Sequence, residues 1–341
     1  MAKERQSNFE LCRLASILLV MLVHTTSQSL GKDMNLATRL LEGFSVVGVN
    51  VFVLLTGYFS ATPKKTNLLN LAFICFFWMI VKVICRYECG EPIGIRQLFF
   101  VTSSNWFIAS YIGLLFFAPI LNLFSNSVGK KTLLGGAILL LLFEMWFDWL
   151  PPYPGVKIGA NNGYSVLSFI VLYLLARAIK LFGIPEWFMK LSPIIYVFCS
   201  IILGVASQFL AILGHDAPGL CYSYINPIVI ISSVAFLMMF ERLKIQSIFI
   251  NHIAKSTLAV LLGHSAIFFL YTKQFKYIYD NFSGFQLVCY WTFAIVIVFC
   301  SSVMIDQLRL IMYKPIERFL KAKIKNNFLF EVSTSTTVIN N

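Results

Sequence analysis

Apolar residues dominate this chain in runs of about twenty, the length that spans a hydrocarbon core as a helix. Polar residues cluster in the short breaks between runs. Ten such stretches lie near 9–29, 44–61, 66–85, 106–124, 132–150, 164–182, 191–213, 224–240, 256–272 and 284–306. The breaks read GKDMN, TPKK, ECGEPIG, SNSVGKK, PPYPG, GHDAPG and ERLKIQ, rich in Pro, Gly and charge. The runs are too long for barrel strands and lack their alternation. The pattern therefore predicts an all-α, polytopic membrane helix bundle of about ten transmembrane helices.

Composition agrees with that reading. The 341 residues are 58% hydrophobic and 12% charged, against about 25% charged in a soluble domain. The net charge of +12 would suit a nucleic-acid binder, but its distribution gives it another meaning. If the N-terminus is inside, nineteen Lys and Arg fall on inner segments, seven on outer ones, and Lys82 lies mid-span. That positive-inside bias predicts N-in and C-in, and an even number of spans returns the chain to its starting side. No nucleic-acid partner is needed to explain the charge.

MAKERQ followed by an apolar run imitates a signal peptide, but HTTSQSLG offers no small-x-small cleavage site and further spans follow. Residues 1–313 form the membrane domain in this reading. Residues 314–341 form a tail, basic through YKPIERFLKAKIKNN and suited to anionic headgroups, then polar. Eight cysteines show no ligand spacing, and those in apolar runs read as small buried hydrophobes. Cys89 and Cys221 fall in connectors on the same side, and the sequence leaves their pairing open.

The chemistry starts on the first run, FELCRLASILLVMLVHTTSQSL. Arg13 and His24 are eleven positions apart, about three turns, so both lie on one face roughly 16 Å apart in height. An Arg near the centre of a span costs roughly 2.5–3.5 kcal/mol on insertion scales. Each residue alone has an ordinary explanation: snorkelling for the arginine, an interhelical hydrogen bond for the histidine. Sharing a stripe favours function. A guanidinium suits phosphate, and an imidazole takes a hydroxyl proton near neutral pH.

Other polar residues are weaker candidates. Asn50, Thr56 and Tyr58 break the apolar second run, where helix-packing contacts are the common reading. Trp106 and Tyr111 enter the fourth run as interfacial aromatics. Glu144 and Asp148 share a face, read as a solvated rim. His264 lies in the ninth run. His215 and His252 fall in connectors without a catalytic assignment. The histidine spacing gives no metal site.

Arg-x10-His followed by GVNVFVLLTGYF resembles the acyltransferase 3 family of bacterial membrane acyltransferases. SNWFIASYIGLLFFAPILN, NGYSVLSFIVLYLLARAI and IAKSTLAVLLGHSAIFF are similar to further family segments, in the same order, over roughly 8–310. The resemblance implies transfer of an acyl group, often acetyl, from acetyl-CoA or another acyl-CoA to a hydroxyl of a cell-envelope or exopolysaccharide sugar. It implies no tightly bound cofactor and a location in the bacterial cytoplasmic (inner) membrane. The partners implied are the acyl-CoA, a glycan or lipid-linked sugar, and membrane lipids. His24 matches the family's essential histidine, as general base or transient acyl carrier. Arg13 matches the donor-side arginine, and Asn50, Tyr58, Trp106 and His264 are candidate substrate-binding residues. The family's third-span Arg-x-x-Arg is replaced here by Lys82 and Arg86. A secondary transporter or glycan exporter is the rival class, but no inverted repeat is evident. A polytopic scaffold or sensor without catalysis is a weaker third reading.

The charge pattern carries a direct test. Engineered cysteines beside Lys64/Lys65 and Lys130/Lys131 should be labelled from the cytoplasm, and those near Glu91 and Pro152 from outside. Outward labelling at Lys130 would reverse the topology.

Overall fold

The computed structural model describes residues 6–94, 105–150, 159, 161–215, 218–266 and 268–323. Arg96, Pro152, Lys157 and the tail beyond 323 lie outside the described residues. Helix accounts for 86% of the described residues, and no strands occur among them. In chain order the helices are α1 Ser7–Leu30, α2 Leu36–Ser45, α3 Val47–Tyr58, α4 Lys65–Glu88 and α5 Trp106–Ser127. There follow α6 Lys130–Trp149, α7 Val166–Phe182, α8 Glu186–Ile212, α9 Pro227–Glu241, α10 Ile248–Ile253, α11 Thr257–Ala266, α12 Phe268–Asn281 and α13 Gly284–Lys323.

Among the described residues, eight helical stretches are long and apolar enough to cross a membrane, against the ten expected. α2 and α3 together make one of them, Leu36–Tyr58. The other two expected spans differ for local reasons. The sixth begins late: Asn161–Gly163 forms a 3-10 turn, Ser165 caps the helix, and only 17 residues remain before Gly183 at φ 71°. The ninth is divided between α11 and α12. α13 overshoots its expected end, running 40 residues through Pro315 to Lys323.

Helix starts follow side-chain caps. Asn35, Asn105, Ser165, Asn226 and Ser247 each accept a hydrogen bond from a backbone N–H in the first turn of the next helix. The outer helices turn apolar side chains outward: Leu139, Leu142 and Trp146 on α6, Ile194, Phe198 and Phe209 on α8, Phe293, Met304 and Leu308 on α13. An apolar solvent around the bundle accounts for that surface. Cys12, Cys75 and Cys199 are buried as expected, whereas Cys289 and Cys300 lie on the exposed face, and Cys89 and Cys221 are free thiols.

α3 is the axis of the bundle. Ten of its twelve residues are buried, and it packs against α1, α7 and α9. Glycines permit the approach. A Cβ on Gly48 would stand 2.7 Å from the Ser16 carbonyl oxygen of α1, and one on Gly57 2.6 Å from that of Tyr173 on α7. Both distances lie inside van der Waals contact with rigid backbone.

Three arginines counted as loop charges are buried instead. Arg309 pairs with Asp306 one turn away, both almost wholly enclosed, and donates to Asn70 at 3.2 Å. Arg177 donates to Ser125 at 3.1 Å, to Asn126 at 2.6 Å and to Ser60. Arg39 donates to Ser207 at 2.9 Å. Setting these aside leaves seventeen inner against six outer cations, so the charge bias persists. Glu144 is likewise not on a solvated rim: it is fully buried and accepts from Ser168 at 2.9 Å.

The glycine contacts predict a graded result. Gly57→Ala should lower the melting temperature of the detergent-solubilised protein, by about 1–3 kcal/mol of overpacking. Gly135→Ala and Gly136→Ala, where an added Cβ meets nothing within 4 Å, should leave it unchanged or slightly raised. Equal effects at all three positions would show that close approach does not constrain α3.

Candidate active site

α1 carries His24 to the edge of a cavity of about 740 Å³. His24, Val23 and Ser27 line it from α1, Arg39 and Glu42 from α2, Trp106 from the start of α5. Asn162, Tyr164, Tyr222 and Tyr224 close it from the connectors before α7 and α9. The wall is thus made of two imidazoles, one guanidinium, one carboxylate and a set of aromatic rings. His215, which sequence gave no role, also lines it.

Two histidines 240 positions apart meet here. The rings of His24 and His264 lie 5.0 Å apart, edge towards face, at 64°. His264 is almost fully enclosed, with its Nδ1 2.9 Å from the Val260 carbonyl oxygen. A carbonyl only accepts, so Nδ1 carries a proton. His264 thus fixes the space in which the His24 ring sits.

Aromatic contacts shape the rest. Trp106 stacks on Tyr224 at 5.7 Å and meets Tyr164 at 4.3 Å, and Tyr164 and Tyr224 are 5.1 Å apart. Asn50 does not reach the cavity. It is fully buried behind the wall and donates to the Tyr224 carbonyl at 3.0 Å, so it positions an aromatic side chain that does line the cavity. At the rim, Lys276 of α12 bridges to Asp33 at 2.7 Å and to Asp280 at 3.0 Å, and these carboxylates raise its ammonium pKa. Asn35 donates to Tyr279 at 3.0 Å beside it, so α12 braces the α1–α2 connector.

Arg13 opens onto a different, smaller cavity of about 210 Å³. Phe52, Thr56, Phe107, Tyr111, Lys255, Thr257, Leu258 and Leu261 surround it. Its guanidinium pairs with Glu10 at 2.7 Å. Sequence reading missed Glu10, although Glu-x-x-Arg at i,i+3 is a recognisable helical pair. A third cavity of about 340 Å³, lined by residues of the 59–63 connector with Asn67 and Asn70, shares Tyr111 and Leu258 with the Arg13 cavity.

Two helices lie between the Arg13 and His24 sides. On α5, Phe107 faces the Arg13 cavity and its neighbour Trp106 the His24 cavity. On α11, Thr257, Leu258 and Leu261 line the Arg13 side, and His264 follows about two turns from the start. Asn105 and Ser265 lie 3.5 Å apart, joining the two helices at the His24 level. Tyr58 belongs to neither cavity. Its hydroxyl donates to Glu241 and accepts from Lys180 at 3.2 Å, which ties α3 to α9 and α7. Of the expected site residues, the structure therefore brings together His24, His264 and Trp106, sets Arg13 on a neighbouring cavity, holds Asn50 in support, and places Tyr58 elsewhere. Arg39 and Glu42 are the side chains that sequence reading overlooked, because their run read as connector.

Comparison with curated proteins and with solved structures returns no match. A family model described as an acyltransferase domain matches residues 6–306, which takes in all three cavities. The chain is a membrane acyltransferase, and it belongs to the acyltransferase 3 family.

Proposed function

We propose that this protein transfers an acyl group, acetyl in the first instance, from a CoA thioester to a hydroxyl of a cell-envelope or exopolysaccharide sugar. The proposal places it in the bacterial cytoplasmic membrane with both termini inside. One observation carries it: His24, backed by His264, lines a polar, aromatic-walled cavity, and α1 and α5 each also contribute to a second cavity that holds Arg13. The reaction needs two reactants that differ in kind. A thioester on a long phosphorylated arm fits the side with the guanidinium. A sugar fits the side with ring faces and hydrogen-bonding groups.

In this reading the acyl donor enters by the cavity beside the Lys64/Lys65 connector and leaves its phosphates near Arg13. Its thioester reaches the level of His24. The acceptor hydroxyl attacks the thioester carbonyl while His24 takes its proton. The C–S bond breaks, the thiolate leaves, and the imidazolium returns the proton to give free CoA. His264 acts through His24 as a positioning residue. Glu10 competes with phosphate for Arg13, so donor binding exchanges one ion pair for another.

His24→Ala should abolish transfer and leave the melting temperature nearly unchanged, since interhelical hydrogen bonds average only about 0.6 kcal/mol. His264→Gln should lower kcat with little change in either KM. Turnover retained in His24→Ala would refute the assignment. Exchange of acyl groups between CoA and labelled CoA without acceptor would identify His24 as acyl carrier rather than base.

The donor side is tested separately. Arg13→Lys keeps the charge but loses the planar fork, and should raise donor KM more than acceptor KM. Arg13→Ala should raise it further, since hydrogen bonds to charged groups are worth about 1.5–3 kcal/mol. Glu10→Gln should lower donor KM by removing the competing carboxylate. Calorimetry of acyl-CoA binding to the purified variants checks this, and equal affinity in all would assign Arg13 to packing.

A further inference from the structure

Arg39 lies close enough to Glu42 for the two charges to interact, but it forms no salt bridge with it. The arginine lies on α2, 8% exposed, on the wall of the His24 cavity. One terminal nitrogen donates to the Ser207 hydroxyl at 2.9 Å, and its Nε has no hydrogen-bond partner. No carboxylate among the described residues comes within ion-pairing distance of it. Glu42, one turn along the same wall, accepts instead from the Ser27 hydroxyl.

A buried guanidinium whose one hydrogen bond goes to a neutral hydroxyl, while the nearby carboxylate accepts from Ser27, recovers little of its lost hydration. As a cross-link from α2 to α8, a neutral side chain would serve Ser207 as well. The Tyr222 hydroxyl fixes this stretch of α2 by donating to the Arg39 carbonyl at 2.9 Å. The backbone is therefore held from outside the side chain, and the guanidinium is presented to the cavity with donor capacity unspent. Its planar fork matches carboxylate and phosphate.

We infer that the acceptor carries an anionic group, a carboxylate or a phosphate, which Arg39 grips while a hydroxyl of the same molecule reaches His24. The inference rests on the acyl-transfer reading for the role of the cavity and adds the acceptor's chemical class. The aromatic cluster of Trp106, Tyr164 and Tyr224 takes the ring, Glu42 and Ser27 meet hydroxyls, and Arg39 selects for charge. A uronic acid or a sugar phosphate meets this description, and a neutral hexose does not.

The test is binding rather than turnover, on full-length protein in nanodiscs carrying His24→Ala. Calorimetry compares methyl glucuronide, glucose 1-phosphate and methyl glucoside. At least one anionic sugar should bind about tenfold or more tightly than the glucoside, the scale of one charged hydrogen bond. Which one wins separates carboxylate from phosphate. Arg39→Gln should bring the three affinities within about twofold, and Arg39→Lys should fall between. Thermal denaturation reports whether each variant is folded. The background protein alone keeps the idea falsifiable, because its anionic preference should shrink as ionic strength rises. Equal affinity for all three sugars, binding by none, or a preference that survives in Arg39→Gln overturns the proposal. Failure of the broader reading looks different: the wild type would release no CoA thiol with any acceptor, while the sugar preference stayed measurable.

Discussion

Polar groups carried into an apolar surround have to be satisfied from within, and that requirement organises this bundle. Several buried charges reach across to a second helix. Arg309 takes Asp306 and Asn70, Arg177 takes Ser60, Ser125 and Asn126, and Glu144 takes Ser168. Tyr173 donates to Asn122 at 2.7 Å, and Asn122 in turn donates to the Ala61 carbonyl at 3.1 Å. Packing alone between apolar helices and lipid would leave their register loose, because tails and leucines offer similar contacts. These polar cross-ties supply the register, and the glycine contacts of α3 set the spacing.

Against that background, the His24 cavity is where the rule relaxes. Polar side chains line it with capacity to spare, and the space is large enough for a ligand. A neighbouring helix face supports it from behind, through Asn50 and Tyr224. The site is thus a gap in the bundle lined by polar groups. Its separation from the Arg13 cavity has a chemical use. In the proposed reaction, donor and acceptor approach from different directions and meet only at the reacting atoms, which limits water at the thioester.

α11 connects the two halves of that arrangement. Its first turn borders the Arg13 side and its last turn supplies His264. Gly263, just before His264, would place a Cβ 2.7 Å from Trp78 and 2.9 Å from the Ser302 hydroxyl. The helix is pressed against α4 and α13, so the position of His264 is set by packing from its far side. A histidine in an otherwise apolar run becomes part of a site because its neighbours hold it there.

By itself the sequence determined the material of the protein. Long apolar runs dictated helices, Asn and Ser caps and Gly or Pro breaks set some of their ends, and the spacing of Arg13 and His24 put both on one face. Those are local properties, set by period, capping and hydropathy. Tertiary structure decided what no local property encodes. It moved Arg39, Arg177, Arg309 and Glu144 from expected loops and rims into the interior, took Tyr58 out of the site, and joined His24 to His264 across 240 positions. The reason is physical: a charge beside an apolar run has the same sequence signature whether it faces water or a partner on another helix. Only the packed bundle, by placing or withholding that partner, distinguishes a structural pair from a group left available to a substrate.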